Sequence, residues 1–153
     1  SGERVVRGWD FRFRCELEND VLLTGAASWV TGDLETPVSP GVIEEAPLSR
    51  LAPTLVRLSL EKRFSDRFRL SGVVTTADRQ DRLSPRDLSD TQRIPVGGTP
   101  GYVVLDLHAT YLWHQDLEIF ASLTNLTDEA YRIHGSGTNE PGANLILGFD
   151  IQF

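Results

Sequence analysis

Several things are scarce in this 153-residue chain, and each scarcity removes a class of protein. A single cysteine, Cys15, excludes an internal disulfide framework and any paired-cysteine metal site. Basic residues are outnumbered, 15 Lys and Arg against 22 Asp and Glu, giving a net charge of −7. A nucleic-acid binder needs a basic face, and no stripe of Lys and Arg interleaved with aromatics is present. No apolar run approaches the ~18 residues of a membrane-spanning helix. That shortage leaves β-barrels open, because they cross a bilayer with strands of ~9–11 residues. The opening SGER leads straight into a strand-like pattern with no secretory leader, so the chain is expected to be either cytosolic or a piece of something longer. Convincing helical periodicity is missing throughout.

What the chain has in abundance is alternation. Apolar side chains recur at every second position in seven stretches, the period of a β-strand. The first, from about Val5 to Leu17, sets Trp9, Phe11, Phe13, Cys15 and Leu17 against Asp10, Arg12, Arg14 and Glu16. The next three run from about Val21 to Thr31, Thr54 to Phe64 and Phe68 to Ala77. The fifth is the clearest, with Val103, Leu105, Leu107, Ala109, Tyr111 and Trp113 opposite Asp106, His108 and Thr110. The sixth spans about Leu117 to Leu126, and the seventh is the closing NLILGFDIQF.

The links between these strands alternate in length. Glu18–Asp20, Ser65–Arg67 and His114–Asp116 are tight turns, whereas Gly32–Pro53, Asp78–Gly101 and Thr127–Ala143 are long and carry most of the prolines. All short turns at one end and all long loops at the other is the rhythm of an up-and-down barrel in an outer membrane. Aromatics of one parity fall near the strand ends: Phe64, Phe68, Tyr111, Trp113 and Phe153 below, Trp9 and Trp29 above. Such belts mark the two membrane–water boundaries. Lys62 breaks the apolar parity close to the lower end, where its ammonium can snorkel to headgroups. The same alternation also builds soluble sandwiches and lipocalin-like barrels whose apolar face points inward.

The segment PGYVVLDLHATYLWHQDLEIFASLTNLTDEAYRIHGSGTNEPGANLILGFDIQF closely resembles the C-terminal end of TonB-dependent outer-membrane receptors. Three pieces carry the likeness: Pro100–Leu107, the NLTDEAY block at Asn125–Tyr131, and Gly135–Asn144. RGWDFRFRCEL at Arg7–Leu17 and PLSRLAP from Pro47 extend it more weakly over the rest of the chain. The resemblance implies an all-β fold: an antiparallel transmembrane barrel segment of about seven strands, residues 1–153 forming the C-terminal portion of a barrel of about 22 strands, without its plug domain or N-terminal strands. It implies transport of a scarce nutrient such as an iron–siderophore complex, haem or cobalamin, in the bacterial outer membrane, with no enzyme activity and no cofactor. The implied partners are outer-membrane lipid, the barrel-assembly machinery, the TonB energy-coupling complex acting through the absent plug, and a small-molecule ligand such as a metal chelate. Gly148, Ile151 and Phe153 fit the family's terminal assembly signal, although Ile146 stands where a polar residue is usual. Two alternatives remain: a structural or adhesive outer-membrane barrel without energy coupling, and a soluble lipid-binding β-protein.

Candidate ligand contacts sit in the long loops. Tyr131, Arg132, His134 and Asn139 in the last loop and Arg93 in the middle one are suited to an anionic chelate or a haem. Arg79, Arg82, Arg86 and Arg93 are interspersed with Asp78, Asp81, Asp87 and Asp90, which reads as a nearly neutral, solvated loop. Glu35, Glu44 and Glu45 make the first long loop acidic. His108, of the same parity as Asp106, belongs to a charged lumen lining with Arg12, Arg14, Arg57, Glu16, Glu61 and Glu118. HGSG at 134–137 lacks the spacing and the strand-to-helix context of a serine nucleophile.

Overall fold

Period two holds from one edge to the other. The computed structural model describes residues 3–152, with the side chains of 36–38 left aside. Phe153, expected in the lower belt and the assembly signal, lies outside the described residues. One antiparallel sheet contains β1 (Glu3–Leu17), β2 (Val21–Ser39), β3 (Val42–Pro47), β4 (Leu55–Arg63), β5 (Phe68–Ala77), β6 (Tyr102–His114), β7 (Leu117–Thr124) and β8 (Asn144–Ile151). Its order is β1-β2-β4-β5-β6-β7-β8, with β3 paired to the outer part of β2. With β3 set aside, strands that follow one another in the chain are neighbours, as an up-and-down wall requires, and β1 and β8 end the row.

The register keeps one parity on one face. Phe11 lies opposite Ala27, Ala27 opposite Val56, Leu58 opposite Val74, and Val74 opposite Leu105. Leu107 then meets Leu123, and Leu123 meets Leu145. This face is uncovered: Phe11, Leu60, Leu147 and Phe149 are all more than half exposed. The buried apolar side chains are instead Val73, Ala77 and Val104 of the opposite parity, with Ile94 from the middle loop. A soluble lipid-binding fold would bury the alternating residues around a cavity; here they form an open surface.

The described aromatics gather towards the two ends of the strands. Trp9 pairs with Trp29 at the long-loop end. At the short-turn end the Phe64 and Phe68 rings are 5.6 Å apart, Phe68 lies opposite Tyr111, and Tyr111 meets Trp113 edge-on at 6.2 Å. The Lys62 ammonium lies 5.8 Å from the centre of the Phe64 ring and donates to the Asn19 carbonyl at 2.9 Å, reaching the turn as a snorkelling side chain does. On the other face Arg12 pairs with Asp10, Arg14 with Glu16, and Arg69 with Glu118.

Two features depart from the seven-strand, helix-free expectation. β2 runs on to Ser39 and returns as β3 through Pro40 and Gly41, with Gly41 at φ +80°, so much of the first long link is a protruding hairpin. The Pro–Gly pair signals that turn. The middle loop contains a five-residue helix, α1 (Pro85–Ser89), too short to show a period but opened by a capping box at Ser84 and Asp87. β7 also stops at Thr124, because Asn125 turns the chain at φ +51°.

Candidate functional site

The three long loops meet at one end of the sheet, and the middle one holds them together. Its base is closed by a two-way backbone bridge between Gln80 and Thr99, both bonds 2.9 Å. The Gln80 side-chain amide then donates to the Leu51 carbonyl at 2.9 Å, and Arg82 reaches Thr31 and Asp33 on β2. The strongest tie is Asp87. Expected to be solvated, it is 2% exposed. Its carboxylate accepts from the Ser49 hydroxyl at 2.6 Å, the Arg50 amide at 3.2 and 3.3 Å, and the Ser84 amide at 3.1 Å. Burial by itself pushes its pKa up; these hydrogen bonds outweigh it and hold the carboxyl below its ordinary value. Asp87 is a structural knot between loops. The remaining carboxylates behave as the charge pattern suggests: Asp90 pairs with Arg50 at 3.1 Å and Arg93 at 3.7 Å, and Asp81 with Arg79.

The last loop is organised by its own polar residue. Asn125 is buried; its amide donates to the carbonyls of Glu129 (2.9 Å) and Pro141 (3.0 Å), and its oxygen accepts from the Glu129 amide. Its backbone N–H donates to Asp106 at 2.8 Å, which ties the loop to β6. Asp128 clips the far side by accepting from the Ala143 amide.

The ligand candidates of the last loop fall into two places. Tyr131 packs against Tyr102 with the rings tilted at 42° and their centres 4.4 Å apart; burial first, then the negative field of Glu140 and the contributions of Tyr102 and Asp106, push its phenol pKa up, so it stays a protonated donor. His134 is half-buried and its Nδ1 is 2.8 Å from the buried Thr99 hydroxyl. Burial lowers the His134 pKa and the charge of Asp87 partly opposes it, leaving a neutral imidazole engaged with the middle loop. Arg93 joins this neighbourhood, its stem lying beside Gly137. Arg132 donates to Asn139 at 3.0 Å, so those two are engaged with each other. His108 bonds Ser122 at 3.0 Å on the mixed face. Among the described residues no three His, Cys, Asp or Glu side chains cluster to hold a metal ion.

The terminal strand gives two of the expected assembly residues distinct surroundings. A Cβ on Gly148 would collide with the ring of Phe120, its cross-strand partner on the mixed face. Ile151 lies opposite Leu117 on the apolar face. Sequence reasoning passed over Thr99 and Ser49, and read as solvated an Asp87 that is buried. Only Asp87 carried a local signal, the Ser-Pro-Arg-Asp capping box.

Consecutive antiparallel neighbours, an uncovered apolar face and loops gathered at one end define a stretch of β-barrel wall. Solved structures of transport and import proteins share this fold over nearly the whole chain. The copper transporter OprC superposes with a TM-score of 0.78 at 16% identity, covering 98% of this chain and 23% of OprC. The closed form of the ferric-catecholate import receptor Fiu from E. coli gives 0.73 at 16% identity over 99% of this chain and 21% of Fiu. A mutant of the ferric enterobactin receptor PfeA from Pseudomonas aeruginosa gives 0.52 at 13% identity over 98% and 31%. The chain thus spans about a fifth to a third of these structures. No family model matches it, and neither does any curated protein.

Proposed function

We propose that this chain is the C-terminal part of the barrel of an outer-membrane, TonB-coupled transporter, moving a scarce nutrient such as an iron–siderophore complex, haem or cobalamin. The carrying observation is the uncovered apolar face, bounded by aromatics at both ends and continuous across seven strands. Water makes such a surface unstable, whereas hydrocarbon does not. The similar solved structures are a copper transporter and a ferric-catecholate import receptor, which supports a metal or metal-chelate cargo.

In this reading the long loops face outward and meet the cargo, with Tyr131, His134 and Arg93 offering a phenol, an imidazole and a guanidinium, and Arg132 and Asn139 flanking them. Gly148, Ile151 and Phe153 serve barrel assembly. The test is uptake of radiolabelled ferric chelates, haem and cobalamin by cells with and without the gene, before and after collapse of the proton-motive force. Gene-dependent uptake that stops on uncoupling is expected. A barrel that assembles in the outer membrane yet supports no energy-dependent uptake of any cargo would favour a structural or adhesive role.

A further inference from the structure

The protruding hairpin carries a groove whose lining includes none of Tyr131, Arg132, His134, Asn139 or Arg93. It lies where the start of β1, the hairpin and the first turn of α1 meet, and has a volume of about 760 Å³. Register builds its floor. Arg4, Leu34 and Ala46 form one row across β1, β2 and β3, and Val6 lies opposite Gly32. The Leu48 side chain passes so close to Gly32 that a Cβ there would lie 2.8 Å from it; the missing side chain lets Val6 and Leu48 line the groove together. This is the parity of Arg12 and Arg14, opposite the Trp9 and Phe11 face, so the groove does not face the hydrocarbon side.

Its chemistry is two-sided. Val6, Leu34, Ala46 and Leu48 are apolar, and Val6 is 59% exposed. Arg4 and Arg86 line the same groove, and neither pairs with a carboxylate among the described residues. Glu44 is the one carboxylate in the lining. Two unpaired guanidiniums above an apolar floor, on a chain of net charge −7, are complementary to a molecule with an anionic head and an apolar or aromatic body. The wall is rigid as well. Ser49 and Ser84 line the groove and both bond Asp87, next to Arg86, so the loop carrying one guanidinium is fixed to the hairpin.

We propose that this groove binds an amphipathic organic anion. Under the transport reading, on which its biological purpose rests, it is a station for an anionic, apolar-bodied cargo on the inner side of the mouth; binding itself is measurable whether or not that reading stands. The probes are 2-naphthoate and its uncharged analogue 2-naphthylmethanol, titrated into the full-length protein in lipid nanodiscs, with the Leu34 and Ala46 methyl resonances as readout. Saturable naphthoate binding is expected, with naphthylmethanol at least about tenfold weaker, as the loss of one charge-assisted contact implies. Combining Arg4→Gln with Arg86→Gln should bring naphthoate down to the level of the alcohol, Arg86→Lys should retain part of the difference, and Glu44→Gln should tighten naphthoate. Both arginines are exposed, and unchanged amide protection at Arg50 and Asp87 would show that the loops of the variants stay folded. Equal binding of the two probes, undiminished naphthoate affinity in the double variant, or no saturable shift at Leu34 and Ala46 would overturn the proposal. If uptake fails while naphthoate binding holds, the transport reading falls and the groove stands.

Discussion

The strand wall and the loop end of this molecule are ordered by opposite means. Along the wall the apolar side chains point out and stay uncovered, while polar ones pair on the inner face: Phe149 and Leu147 are bare, and Arg69 holds Glu118. At the loop end polar groups are inside. Asp87 and Asn125 are both buried and fully engaged, and each gathers several backbone groups that no strand supplies. The wall depends on its surroundings to accept an apolar surface. The loops depend on a few charge-assisted and amide hydrogen bonds, which cost a great deal when broken singly.

The largest expected effect breaks the wall. Leu107→Arg places a cation on the apolar face and should cost about 2–4 kcal/mol at mid-depth of a bilayer, blocking assembly; His108→Arg, one residue away on the other face, should be tolerated. Urea titration of the barrel in vesicles measures both, and equal destabilisation by the two would contradict the assignment of faces. Next comes Asp87→Ala, which should release the first loop from the middle one at about 3 kcal/mol. Amide exchange at Arg50 would then accelerate about a hundredfold, since tenfold corresponds to about 1.4 kcal/mol, while exchange in β6 stays unchanged. Asn125→Ala should cost about 2 kcal/mol, because the Glu129 and Pro141 groups lose their partner and alanine disfavours φ > 0. Its effect should be confined to 125–143, read by limited proteolysis of that loop.

The smallest effect separates the two sides of the middle loop by pH. His134 has its pKa lowered below 6.5 on docking, so the docked state favours the neutral ring. That contribution is complete above 6.5 and is lost as pH falls from there through the docked value. Asp87 has its pKa lowered below 3.8, so its contribution is complete above 3.8 and is lost only as pH falls further. At pH 5 the Thr99–His134 contact should therefore loosen while the Ser49–Asp87 contact holds. Spin-label distances across each junction between pH 7.5 and 5 test this; simultaneous opening of both would show that His134 is not the weaker tie.

Much of the wall was legible because its information is local. Leu105, Leu107 and Ala109 announce a face within five residues, and the turns at Glu18–Asp20 and Ser65–Arg67 set neighbour pairing with no reference to anything distant. The hairpin through Gly41 and the helix at Ser84 did carry signals, a Pro–Gly turn and a capping box. Both were overshadowed in a long link read as loop, because six strand residues and five helical ones give too short a pattern to stand out. The last loop was legible as a block from Asn125 to Tyr131, but its role as a knot was not, since Asn125 looks the same in any polar loop.

Sequence alone determined which side chains share a face, how many crossings the wall makes and at which end the long connections gather. Those follow from a period of two and from short turns, whose physics acts between near neighbours. Tertiary structure alone decided which polar residues became internal ties. Ser49 meets Asp87 across 38 positions, and Thr99 meets His134 across 35. A hydrogen bond over such a separation leaves no pattern in the chain; it exists only where the sheet has already brought its loops together.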